Sequence, residues 1–80
     1  MSYQKKKDKV WEKGKKIRGK NPNLYRKDSQ GNEMYYPSYG KTSEKGWEID
    51  HSKSQANNGT DHLNNLQPLN WLANRKKGKK

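Results

Sequence analysis

The sequence predicts a small α+β domain with an N-terminal hairpin, two further short strands and a short C-terminal helix. Three observations lead there. Trp47-Glu48-Ile49-Asp50 alternates apolar and polar residues with the two-residue period of a half-buried strand. Turn signals punctuate the first half, at Asn21-Pro22-Asn23 and at Asp28-Ser29-Gln30-Gly31-Asn32. Asn70 has the chemistry of a helix N-cap, and Trp71-Leu72-Ala73 follows it as a buried side.

Eighty residues bound the chain to one small domain. Only 25% are hydrophobic and none is Phe, so three Trp and five Tyr must carry much of the core. There is no Cys, which excludes disulfides and thiolate zinc and leaves the redox compartment open. Two His without Cys argue against a structural zinc site. The net charge is +11, and it is unevenly placed. Residues 1–20 hold nine basic and two acidic residues, and residues 75–80 hold five basic residues, while the middle is nearly neutral. Basic arms around a neutral centre suit a polyanion, with nucleic acid the commonest. The plainer role for such arms is solubility. No apolar run approaches a membrane span, and no signal peptide is visible, so no membrane partner is expected.

The elements follow in order. Residues 1–9 read as a disordered basic arm. Trp11 to Lys20, with Gly14 and Gly19, reads as loop or a short helical turn with Trp11 and Ile17 inward. Leu24 to Lys27 and Glu33 to Tyr36 read as hairpin strands, joined where Gly31 can take positive φ. Pro37 ends the second strand. Ser38 to Lys45 is a polar loop. In the strand from Trp47, Trp47 and Ile49 face the core, and Asp50 stands at an exposed end. Ser52 to Asp61 is a loop, and His62 is a loop residue. Leu63, Leu66 and Leu69 are apolar anchors, and Pro68 limits Leu66 to Leu69 to an edge strand. In the terminal helix, Asn70, Asn74 and Lys77 can share a face. Tyr35, Tyr36 and Tyr39 serve the core in preference to stacking on bases.

The chemistry-bearing residues lie in the second half. Asp50-His51 closes the Trp47 strand. Asn65 lies fourteen positions after His51, within Asn65-Leu66-Gln67-Pro68-Leu69. Asn74 lies nine positions further, ahead of Arg75-Lys76-Lys77-Gly78. This pattern resembles the HNH endonuclease family, in the small stand-alone form found in phages and bacteria. The spacing is also similar to that of the HNH domain of CRISPR effector nucleases. The resemblance reaches back through Tyr25-Arg26-Lys27-Asp28 and Tyr39-Gly40. It implies a ββα-metal, or His-Me finger, nuclease fold over residues 10–80.

The residue types suit phosphodiester hydrolysis, which needs an in-line water, a base and positive charge on the leaving oxygen. Imidazole suits the base, because its unperturbed pKa of about 6.5 leaves it mostly neutral at pH 7. His51 is the candidate base. Asp50 is the candidate carboxylate ligand for a divalent metal, and Asn74 the candidate carbonyl ligand from the terminal helix. The resemblance implies that the ion bridges strand end and helix, and that Asn65 holds the loop after His51. With Asn74 where many relatives have His, the site is oxygen-rich, which favours Mg²⁺ or Mn²⁺ over Zn²⁺ or Ni²⁺. Ser52-Lys53-Ser54 stands where many relatives have Pro, and Lys79-Lys80 where many have an acid.

Taken singly, these residues have plainer roles: Asp50 as a strand-end turn residue, His51 as a surface histidine, Asn65 as a turn former, Asn74 as a neutral helix residue. Arg75, Lys76, Lys77, Lys53, Lys5, Lys6 and Lys7 are the candidate nucleic-acid contacts. The expectation is a metal-dependent endonuclease nicking or cutting DNA with little sequence preference, in the cytoplasm of a bacterium or phage-infected cell. The alternative is a non-catalytic or partner-activated basic nucleic-acid-binding module, such as a phage packaging accessory.

Overall fold

The structure, a computed structural model, describes residues 6–53, 59–60 and 62–77. Two helices and five strands run in the order α1 (Lys7–Trp11), β1 (Lys15–Lys16), β2 (Tyr25–Lys27), β3 (Glu33–Tyr35), β4 (Trp47–His51), β5 (Leu66–Asn70) and α2 (Trp71–Lys77). β1, β2 and β3 form one antiparallel sheet in that order. β4 and β5 form a second antiparallel pair, with Asp50 opposite Gln67 and His51 opposite Leu66. α2 follows β5 directly, so β4, β5 and α2 make a ββα unit.

The predicted hairpin is present. β2 pairs β3 with Tyr25 opposite Tyr35 and Lys27 opposite Glu33, and Gly31 has φ +86°. Tyr36–Ser38 is a 3-10 turn carrying Pro37, which ends β3 as expected. The core is aromatic, as the composition requires. Trp11, Met34 and Trp47 are buried together, with Tyr36, Tyr39 and Ile49 packed against them. The Trp11 and Trp47 ring centroids lie 5.0 Å apart, and those of Tyr39 and Trp47 4.8 Å. Each buried indole N–H finds an acceptor: Trp11 Nε1 donates to the Pro22 carbonyl at 3.0 Å, and Trp47 Nε1 to the Tyr36 carbonyl at 3.1 Å.

The two sheets are joined by polar ties that no local pattern announces. Asp28 is buried, and its carboxylate accepts four N–H groups. Oδ1 takes the backbone N–H of Gln30 at 2.9 Å and of Asn32 at 2.8 Å. Oδ2 takes Asn32 Nδ2 at 3.2 Å and the backbone N–H of Asn70 at 3.0 Å. The hairpin turn is thereby fastened to the β5–α2 junction. Asn70 itself accepts from the Leu72 N–H at 2.9 Å, the N-cap bond expected of it. Gly46 completes the junction, since its carbonyl accepts the Trp71 N–H at 2.9 Å. A Cβ at Gly46 would lie 1.9 Å from the Lys41 carbonyl oxygen, so only glycine fits there.

Several expectations need correction. α1 begins at Lys7, inside the stretch read as a disordered arm, because Val10 and Trp11 reach the core and draw their own turn into a helix. Lys15–Lys16 is a strand, although it has no apolar residue, because it pairs with β2. Trp71, Leu72 and Ala73 do not form a buried side, and Leu72 is 47% exposed. α2 instead meets β4 through Asn74, Arg75 and Lys77, which are polar contacts. Nor is Asp50 exposed: its side chain retains 11% accessibility, because Lys77 and Gln67 cover it.

Candidate active site

Strand alternation arranges the site. Successive side chains of β4 point to opposite faces, so Glu48 and Asp50 share the face that meets α2. Asn74 and Lys77, three residues apart, share the facing side of the helix. Asn74 Nδ2 donates to Glu48 Oε1 at 2.7 Å. Lys77 Nζ donates to Asp50 Oδ2 at 2.5 Å and to the His51 carbonyl at 2.8 Å. Gln67, opposite Asp50 in the register, donates from Nε2 to the same Oδ2 at 2.9 Å.

The two oxygens proposed from sequence as ligands are the ones left over. Asp50 Oδ1 and Asn74 Oδ1 accept no hydrogen bond from the described residues, whereas Asp50 Oδ2 accepts two and the Asn74 amide nitrogen is committed to Glu48. A cation already stands on Asp50, in the form of the Lys77 ammonium. The donor set therefore fits a hard cation. Among the described residues no three His, Cys, Asp or Glu side chains cluster as a metal site.

Asn65 anchors the chain after His51. Its Oδ1 accepts the Lys53 N–H at 2.8 Å, and its Nδ2 donates to the Lys53 carbonyl at 3.0 Å and the Thr60 carbonyl at 2.7 Å. Its own carbonyl accepts the Ser52 N–H at 2.8 Å. The carboxamide thus clamps one residue of the loop from both sides. His51 is half-buried at the end of β4, and alternation assigns it to the Trp47 and Ile49 side of the strand. Asp50 and His51 therefore flank the strand end from its two faces.

The chain matches the family model described as HNH endonuclease over residues 39–80, just over half its length. The protein belongs to the HNH endonuclease family. No curated protein and no solved structure matches it. The matched span contains β4, β5 and α2, so the α+β, ββα architecture expected from the sequence is present. Membership brings a nuclease-type function and nucleic acid as the partner. No helix among the described residues is long and apolar enough to cross a membrane.

The candidate nucleic-acid contacts of this HNH protein are spread over different surroundings. Arg75 holds Glu48 Oε2 at 3.3 Å and lies over the Trp71 ring at 5.8 Å. Lys77 is on Asp50. Lys7 sits over the Tyr36 and Tyr39 rings at 5.0 and 5.1 Å. Lys53 and Lys76 are exposed and Lys6 is half-buried, while Lys5 lies outside the described residues. Sequence reasoning missed two members of the site, Glu48 and Gln67. Both had a signal: Glu48 stands two residues before Asp50 on one strand face, and Gln67 lies inside the Asn65 to Leu69 motif.

Proposed function

We propose that this protein is a metal-dependent endonuclease that hydrolyses DNA phosphodiester bonds, leaving a 5′-phosphate and a 3′-hydroxyl. The observation that carries the reading is a pair of oxygens, Asp50 Oδ1 and Asn74 Oδ1, that accept no hydrogen bond from the described residues and lie on facing elements, α2 and the strand that ends in His51. Those two residues would hold Mg²⁺, with Mn²⁺ as the alternative. When bound, the ion supplies positive charge to the phosphate and to the departing 3′ oxygen. His51 takes the proton of the attacking water as the new P–O bond forms and the bond to O3′ breaks. Glu48 orients the Asn74 carboxamide by fixing its nitrogen. Asn65 holds the Ser52–Lys53 backbone, so the segment carrying His51 keeps one course.

A second reading, activation by a partner, is favoured by one contact. Lys77 holds the carboxylate that a metal would need, so substrate or partner binding that draws the ammonium away would switch the site on. The test is incubation of the purified protein with labelled duplex DNA and with RNA of the same sequence, with Mg²⁺, with Mn²⁺ and with chelator, followed by analysis of the product ends. Metal-dependent DNA products carrying 5′-phosphates are expected. Cleavage that persists in chelator contradicts the reading.

A further inference from the structure

Several cations near the site are turned toward the protein, while Lys53 and Lys76 are exposed. Lys77 is on Asp50, Arg75 is on Glu48, and Lys13 Nζ donates to the carbonyls of Leu63 and Leu66. Arg26, on β2, is buried and gives its guanidinium to the carbonyls of Pro22, Glu12 and Gly14. Lys15 and Lys27 are different. They are direct partners in the β1–β2 register, and both are exposed. Neither ammonium has a partner among the described residues.

Like charges directly opposite in an antiparallel pair repel, with Cβ atoms only about 5 Å apart. Among the described residues nothing nearby relieves the repulsion. Glu33, across from Lys27 on β3, is engaged by Lys20 and Lys45. Asp28, next in the chain, is buried and saturated with N–H donors. A fold of this size has little stability to spare for an unrelieved repulsion.

The pair also lines a groove of about 250 Å³. Its other walls include Ser29, Ser52, Asn64 and Gln67. Ser52 follows His51 directly, and Gln67 is the residue that donates to Asp50. The groove therefore runs from two ammonium groups without a partner among the described residues to the frame of the site itself, past the Ser52 hydroxyl and the Asn64 carboxamide, which can meet phosphate and sugar oxygens.

We infer that this groove carries the sugar–phosphate backbone flanking the scissile bond, with Lys15 and Lys27 each on a phosphate away from the cleaved one. The inference rests on the nuclease reading for its substrate and adds the surface along which that substrate lies. The backbone supplies the counter-charge that the fold withholds from the pair. It also makes β1, a two-residue strand without apolar side chains, part of the binding surface.

The test is the salt dependence of duplex DNA binding in chelator, so that no cleavage enters the measurement. Three proteins are compared: the parent, Lys15→Gln/Lys27→Gln, and Lys16→Gln/Lys41→Gln. The last loses the same charge from exposed positions off the groove, Lys16 being on the opposite face of β1. Two lost phosphate contacts lower the slope of log K against log salt by about 1.8, at about 0.9 per contact. The control variant should lose less than half as much. Without DNA, the groove variant should melt at or above the parent temperature, because a repulsion has been removed, so lost binding cannot be lost folding. Equal slope losses in the two variants, or a parent-like slope in the groove variant, overturn the inference and leave the nuclease reading standing. A parent protein that binds duplex DNA with no salt dependence overturns both.

Discussion

The Lys77 ammonium stands 2.5 Å from Oδ2 of Asp50. It bridges from there to the His51 carbonyl, so the last turn of α2 is tied to the end of β4 by one side chain. The same carboxylate is the proposed metal ligand, so the lysine would compete with a divalent cation for it.

Lys77→Met should therefore tighten Mg²⁺ or Mn²⁺ binding. A partly exposed ion pair of this kind contributes up to about 1 kcal/mol, which corresponds to about fivefold in affinity. Isothermal titration calorimetry without nucleic acid reads this directly. Weaker metal binding in the variant would mean that Lys77 supports the ligand geometry rather than competing for it.

Asn65→Ala should reduce turnover more than it weakens substrate binding. It removes three side-chain hydrogen bonds to Lys53 and Thr60. Misplacement of a catalytic group by about 1 Å can cost about 100-fold in rate. Steady-state kinetics should show kcat falling by about that much with KM little changed. A variant that keeps its kcat would show that the clamp is not needed to position His51.

Tyr36 gives the fold a response at high pH. Its hydroxyl donates to Asp8 of α1, and this bond, burial and the Asp8 charge push its pKa up to about 12. The folded state favours the neutral phenol. The stabilisation is complete below pH 10, declines between 10 and 12 and is lost above 12. Burial and Glu48 also push the Tyr39 phenol up. Ultraviolet titration of phenolate should show late-ionising tyrosines, and Asp8→Asn should bring one of them back toward 10. An unchanged titration in that variant would contradict the Tyr36–Asp8 contact.

The features legible in the sequence were those set by neighbours in the chain. The β2–β3 hairpin follows from Gly31 and the alternation around it, β4 from Trp47 and Ile49, and the α2 cap from Asn70. What could not be read depends on distant partners. Asp28 resembles any turn aspartate until its bond to the Asn70 N–H, 42 positions away, is seen. Arg26 counts as surface charge until its guanidinium is found turned inward on three carbonyls. Lys77 and Lys15 look alike in the sequence, yet one lies on Asp50 and the other faces Lys27 across a strand pair. The apolar side expected of α2 failed for a related reason. Seven residues form the helix, and Asn74, Arg75 and Lys77 fix which side meets β4.

The most direct test of the central claim is cleavage of supercoiled plasmid by the parent and by His51→Ala, in Mg²⁺ and in chelator, with DNA binding measured alongside. Nicked or linear product is expected from the parent only with metal, and none from the variant, which should still bind DNA. Equal cleavage by the two proteins would contradict His51 as the base, and with it the proposed mechanism.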